Sequence, residues 1–283
     1  MTERHGELEG AIEQFAATAA GEPVPAAAKD VVDAVLDALE RGELRAARRE
    51  QDGKWQAVPW VKRAILLAFR ISPVVSQPMD TTFGFTDKQS MPPRAFTPSD
   101  GVRLVPGGSA VRRGAHLAAG VVCMPPMYVN VGAWVGAGTM IDSHALVGSC
   151  AQIGERVHLS AAAQIGGVLE PVNASPVVIE DDVMVGGNCG VYEGTVVRRG
   201  AVLGAGVILT RGTPVYDLVR QVVHRGNAER PLEIPEDAVV VPGARRVVTD
   251  WAGAEGLSLQ TPVIVKYRDE KTDVATTLER WLR

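Results

Sequence analysis

Between Val105 and Ile165 an apolar residue returns every sixth position. The series is Val105, Val111, Leu117, Cys123, Val129, Val135, Ile141, Val147, Ile153, Leu159 and Ile165. Four residues after each comes a mostly small or β-branched side chain, among them Ala115, Val121, Ala133, Thr139, Ala145, Ala151 and Ala163. The position directly after the aliphatic is Gly at 136, 148, 154 and 166. A second register runs Ile179, Val185, Val191, Val197, Leu203, Leu209, Val215. The phase slips between the two, over Glu170–Pro176.

A period of six fits neither the 3.6 of an α-helix nor the two of an ordinary strand. It fits a unit of one short flat strand plus one corner. Three units close a triangular coil, and stacked coils pair backbone to backbone about 4.8 Å apart. The aliphatic points into the prism and the small residue fits inside a corner. The glycine is expected to take the tight bend, where positive φ costs little. So narrow an interior excludes rings, and Tyr128, Trp134 and Tyr192 all miss the interior positions. The expected fold is mainly β: a left-handed parallel β-helix of hexapeptide repeats, an exception to the right-handed crossover rule. The slip reads as a loop at 170–177 thrown out at a corner, where a solenoid tolerates excursions.

The flanks carry a different pattern. Pro25–Gly42 places Val31, Val32, Val35, Leu36 and Leu39 at helical spacing and ends on Gly. Trp60–Ser72 reads as a second helix, and the turn-rich Ser72–Arg94 as a linking or covering segment. After the coils, Ala238–Val248 and Thr261–Arg268 read as strands and Asp273–Arg283 as a closing helix. The expected organisation is a helical N-terminal cap domain at 1–100, the β-helix at 101–243, and a short mixed C-terminal segment at 244–283. Both ends of a solenoid need such caps.

Composition narrows the chemistry. The 283 residues carry a net charge of −4 and are 46% hydrophobic, enough for a real core and a poor match to nucleic acid or an anionic membrane. No apolar run approaches the roughly 20 residues of a membrane span. The polar, acidic start MTERHGELEG is unlike a secretory signal, so the chain is expected in the cytoplasm. Cys123, Cys150 and Cys189 are odd in number with no CxxC, which reads as reduced, buried thiols. There is no GxGxxG and no P-loop. The five histidines, at 5, 116, 144, 158 and 224, include no closely spaced pair of the zinc-ligand kind, and no metal is expected.

The stretch Met124–Pro171 contains YVN, GTMID, VGSCAQIG, VHLS and IGGVLEP. With these pieces it closely resembles the tetrahydrodipicolinate N-succinyltransferases of bacterial lysine and diaminopimelate biosynthesis. The likeness extends more loosely over ERGELRAA, WVKRAILLAFRI, GVRLVP and VIVKYRDEKT. The resemblance implies a cytoplasmic homotrimer with succinyl-CoA as co-substrate and no permanently bound cofactor. Acyl-CoA would lie in a groove between neighbouring prisms, and the loop at Glu170–Pro176 would reach across to a partner. The succinyl group would pass to the amino group of ring-opened tetrahydrodipicolinate, 2-amino-6-oxopimelate. Related acetyl-transferring enzymes share GVxEP and PVVIEDDV, so an acetyl-CoA enzyme, or one of specialised metabolism, is an alternative. A non-catalytic trimeric scaffold is another.

A thioester is already activated, so the reaction needs a base for the amine and donors for the developing oxyanion. Both substrates are carboxylates, which calls for arginine. The resemblance matches Asp142, where other hexads carry Gly, to a catalytic and substrate-binding carboxylate. It matches Arg103 in GVRLVP to a residue that holds a substrate carboxylate. It departs at VGGNCGVYEG (Val185–Gly194): Gly190 stands where better-known members carry a glutamate with a catalytic role, and Asn188 where they carry an arginine. Glu193, three residues on, is the nearest replacement and is taken as a second catalytic candidate, with Glu170 as another option. Gly204 and Ala205 offer a bare wall for a pantetheine arm. Arg245 and Arg246 are placed to meet the phosphates of coenzyme A.

Overall fold

The hexads fold as their period demands. In the computed structural model, which describes residues 3–78 and 84–269, each hexad contributes a two-residue strand, and every third strand pairs in parallel. The register advances by one coil each time: Trp134 faces Gln152, Met140 faces His158 and Leu146 faces Gln164. Three flat sheets result. The first face begins at Arg103–Leu104, the second at Ala110–Val111 and the third at His116–Leu117. Together they form the left-handed β-helix.

The prism is filled as the pattern foresees. Val135, Ile141, Val147, Ile153, Leu159 and Ile165 are fully buried, and Ala133, Ala145, Ala151 and Ala163 close the corners between them. Tyr128 and Trp134 take outward strand positions.

The corners differ from expectation. The left-handed residue is the fourth of the hexad, not the second: Gly114, Gly120, Gly132 and Gly138 have positive φ there, and so do His144, Arg156, Ala162, Asp182 and Asn188. The second-position glycines serve close approach instead. A Cβ on Gly136 would meet the carbonyl oxygen of Gly154 at 2.5 Å, and one on Gly186 would meet the Ala205 nitrogen at 2.6 Å. A real Cβ cannot sit there without moving the next coil.

The phase slip is a corner insertion. The chain leaves the second face after Gln164–Ile165 and rejoins the third at Val178–Ile179, where Val178 pairs with Gln152. No coil is lost. The second register ends earlier than read. Val215 is buried, but Val215–Asp217 pairs antiparallel with Val222–His224 rather than continuing the coil. The parallel partner of Val202–Leu203 is Val239–Val240, in the strand Ala238–Arg246. That strand and Ser258–Tyr267 form a long antiparallel arm. Asp273–Arg283 lies outside the described residues.

Ahead of the prism sit α1 (Glu3–Ala16), α2 (Ala28–Glu40) and α3 (Pro59–Ile71). In α2, Val32, Val35, Leu36 and Leu39 form one buried stripe. Pro59 opens α3, where its missing N–H costs nothing. Three elements were not legible: helix α1, the hairpin of β1 (Ala47–Arg49) with β2 (Trp55–Ala57), and the hairpin of β3 (Val74–Pro78) with β4 (Gly84–Lys88) inside the segment read as irregular. The helical core, with Ile12, Leu36 and Ile65, also takes in Val131 and Cys150 from a corner of the prism.

Candidate functional site

The corner between the first and second faces is nearly bare of side chains. Asp142, Ser160, Gly186 and Gly204 stack on it. Each donates its backbone N–H to the next coil, to the carbonyls of Leu159, Val185, Leu203 and Val240. The residues that follow them are Ser143, Ala161, Gly187 and Ala205, equally small. Three coil spacings, about 14 Å, separate Asp142 from Gly204. Asp142 is half-buried, and its Oδ1 accepts the Ser143 N–H at 2.7 Å, which leaves its other oxygen for a ligand.

Arg103 belongs to the same region. It opens the first face and is exposed, and Arg103, Val122 and Met140 stand in register on successive coils. Asp142 follows Met140 by two residues, so Arg103 lies about 10 Å from it along the prism axis. Gly204 and Ala205 stand at the other end of the corner. There the arm passes, with Val241 packed on Gly204 and Gln260 donating to the Gly206 carbonyl. Arg245 is half-buried with its Nε enclosed and without a hydrogen-bond partner among the described residues, while Arg246 is exposed. As neighbours along one strand, the two point to opposite sides of the arm.

Glu193 is elsewhere. It sits in the corner between the second and third faces with φ 53°, exposed, and its Oε2 accepts the Arg211 N–H at 3.0 Å. Within one chain it does not meet Asp142: the two carboxylates border opposite sides of the second face. Glu170, also exposed, opens the ejected loop. Burial pushes the Cys123 and Cys150 thiols up to about 12 and raises that of Cys189, so all three behave as small apolar groups.

Lys62 was missed. It is fully buried in α3, and its Nζ donates to the Ala174 carbonyl at 2.5 Å, pinning the ejected loop to the helical domain. Burial lowers its pKa. Ser175 makes a second tie, its hydroxyl donating to the Trp55 carbonyl at 3.4 Å. The signal was present as a single lysine within the apolar run WVKRAILLAF.

Two family models match. The N-terminal model of tetrahydrodipicolinate N-succinyltransferase covers residues 7–71, and the hexapeptide repeat of succinyl-transferase covers residues 176–211. The chain is 44% identical over 263 residues to a 2,3,4,5-tetrahydropyridine-2,6-dicarboxylate N-succinyltransferase of Nitrobacter winogradskyi, covering 90% of each chain. It is 41% identical over 269 residues to a protein of the same name from Polynucleobacter asymbioticus, covering 93% of this chain and 92% of that one. A solved Campylobacter jejuni structure, described as a 2,3,4,5-tetrahydropyridine-2-carboxylate N-succinyltransferase, superposes with a TM-score of 0.51 at 18% identity. That match covers 83% of this chain and 62% of the other, and speaks for the fold.

Proposed function

Since the chain belongs to the tetrahydrodipicolinate N-succinyltransferase family, we propose that it transfers a succinyl group from succinyl-CoA to the amino group of 2-amino-6-oxopimelate. The products are N-succinyl-2-amino-6-oxopimelate and free coenzyme A, in lysine and diaminopimelate biosynthesis. The observation that carries the site assignment is the bare corner from Asp142 to Gly204, headed by a carboxylate with an uncommitted oxygen.

On this reading coenzyme A lies along the corner. Ser160, Gly186 and Gly204 let a slender arm approach the backbone, and Arg245 on the projecting arm meets phosphate. Arg103 holds a carboxylate of one dicarboxylic substrate. Asp142 takes the proton of the attacking amine as the new C–N bond forms at the thioester carbonyl. Collapse of the tetrahedral intermediate breaks the C–S bond, and the thiolate leaves to be protonated. The acting unit is a homotrimer, in which a neighbour's ejected loop and Glu193 approach the corner. This is how Glu193 reaches the reaction, since its own subunit keeps it a face away from Asp142.

Donor choice tests the proposal. Thiol release with enzymatically generated tetrahydrodipicolinate is expected with succinyl-CoA and at least tenfold less with acetyl-CoA. Release with acetyl-CoA alone would move the chain to the sister activity, and release with neither would leave the scaffold.

A further inference from the structure

Where the helical domain meets the third face of the prism, one charge is unanswered. Arg45, two residues ahead of β1, lies over the ring of Trp134, its guanidinium carbon 3.9 Å from the ring centre, with the ring of Trp55 from β2 at 5.3 Å. Its Nε donates to Gln152 Oε1 at 2.9 Å. Gln152 is buried, and its amide nitrogen donates to the Cys150 carbonyl at 2.9 Å, which holds the oxygen toward Arg45. Two rings and one amide thus fix the guanidinium in plane and direction. Among the described residues it has no ion-pair partner, and its two Nη atoms make no hydrogen bond. Burial lowers its pKa to about 10, offset in part by the charge of Asp181. A guanidinium withdrawn from water is ordinarily paired.

The Nη atoms are not enclosed, unlike the Nε1 of Trp134 beneath them. Arg45 lines a cavity of about 360 Å³ between the hairpin and the prism, at the small end of ligand sites. Of the carboxylates there, Glu180 is buried and already accepts from Trp55 Nε1 and Arg198, each at 2.9 Å. Asp181 accepts the Glu155 N–H through Oδ1, while its Oδ2 lies 3.7 Å from the exposed Arg199. Glu236 is exposed and has no partner among the described residues. Three guanidiniums and four carboxylates line the cavity, which therefore carries one net negative charge. That wall disfavours a phosphate or a dicarboxylate. The ligand that answers it carries one carboxylate, which the two Nη atoms can grip bidentately, and two ammonium groups. The cavity borders the third face, apart from the corner of Asp142 between the first and second.

We propose that this cavity binds a free basic amino acid, its carboxylate on the Arg45 Nη atoms and its ammonium groups against Asp181 and Glu236.

Calorimetric titration of the full-length protein with L-lysine, pentane-1,5-diamine and acetate tests this, beside Arg45→Lys and Glu236→Gln. The diamine keeps both ammonium groups of lysine and lacks the carboxylate, and acetate has the carboxylate alone. L-lysine is expected to bind and to raise the unfolding midpoint, with the other two at least tenfold weaker. Arg45→Lys keeps the charge and loses the fork, and is expected to weaken L-lysine about tenfold. Glu236→Gln changes an exposed, unpaired side chain, keeps the parental midpoint and is expected to weaken L-lysine about threefold. Absence of L-lysine binding, or diamine binding equal to it, would overturn the proposal. So would parental L-lysine affinity in Arg45→Lys, which would place the amino acid at another site. If Arg45→Lys does not fold, Glu236→Gln decides in its place: weakened binding upholds the site and parental binding overturns it.

Discussion

The helical domain and the prism are both closed by aliphatic side chains, yet they are specified in different ways. In α2 and α3 the stripe of Val35, Leu36, Ile65 and Leu67 is a matter of side-chain volume packed against volume. In the prism, backbone packs against backbone. Gly136, Gly148 and Gly154 sit where any Cβ would strike the next coil. The helical domain is therefore expected to tolerate changes in shape, and the prism to reject even one methyl at these three glycines.

One substitution made in both regions separates these regimes most sharply. Gly136→Ala is expected to cost about 3 kcal/mol or more, because the backbone of Gly154 and Glu155 must move. Gly10→Ala, on α1 with nothing near its Cβ, is expected to stabilise by up to about 1 kcal/mol. Chemical denaturation of both variants reads the two signs, and equal effects would erase the distinction.

A smaller effect is expected where the regions meet. Lys62→Met removes the donor that holds the Ala174 carbonyl. The loop at 170–176 should become about tenfold more susceptible to a broad-specificity protease, while the rest of the prism stays resistant. There is also a pH signature. Burial holds the Lys62 amine below its ordinary 10.5, so the unfolded chain keeps the proton to higher pH. Stability from this group therefore rises with pH up to about 10.5. The parent shows that rise and Lys62→Met lacks it.

The smallest effect concerns His116, stacked on Trp134 and donating from Nδ1 to the Glu40 carbonyl at 2.8 Å. Burial, more than the nearby Arg94 and Arg45, lowers its pKa from 6.5, so the fold holds the neutral ring. The unfolded chain binds the proton first as pH falls. The stabilisation is thus complete above 6.5 and declines below it, until the lowered folded value is reached. His116→Phe keeps the stack without the titration. Its midpoint should trail the parent at pH 7.5 by less than about 1 kcal/mol of stability, and the gap should narrow by pH 5.5.

The prism was legible because period-six sequence maps onto one backbone solution. The spacing of Val135, Ile141 and Val147 sufficed, and the slip at 170–176 marked the loop. The role of the second-position glycines was not legible, because close approach and positive φ make the same demand on sequence and only coordinates separate them. Helix α1 was hidden by its weak apolar stripe in an acidic segment, and β1 with β2 by strands only three residues long, one of them with two arginines. In the site, Asp142 and Arg103 stood out by likeness and do fall on one face and its border. Lys62 did not stand out, since its meaning lies in what it touches, a carbonyl 112 residues away.

The measurement that goes most directly to the account is turnover of Asp142→Asn with succinyl-CoA and enzymatically generated tetrahydrodipicolinate, beside coenzyme A affinity of the same variant. Asparagine keeps the size and the hydrogen bond to Ser143 and removes the base. The account predicts that kcat falls by about a hundredfold or more while coenzyme A binds as in the parent. Parental turnover in Asp142→Asn would contradict it and place the base elsewhere.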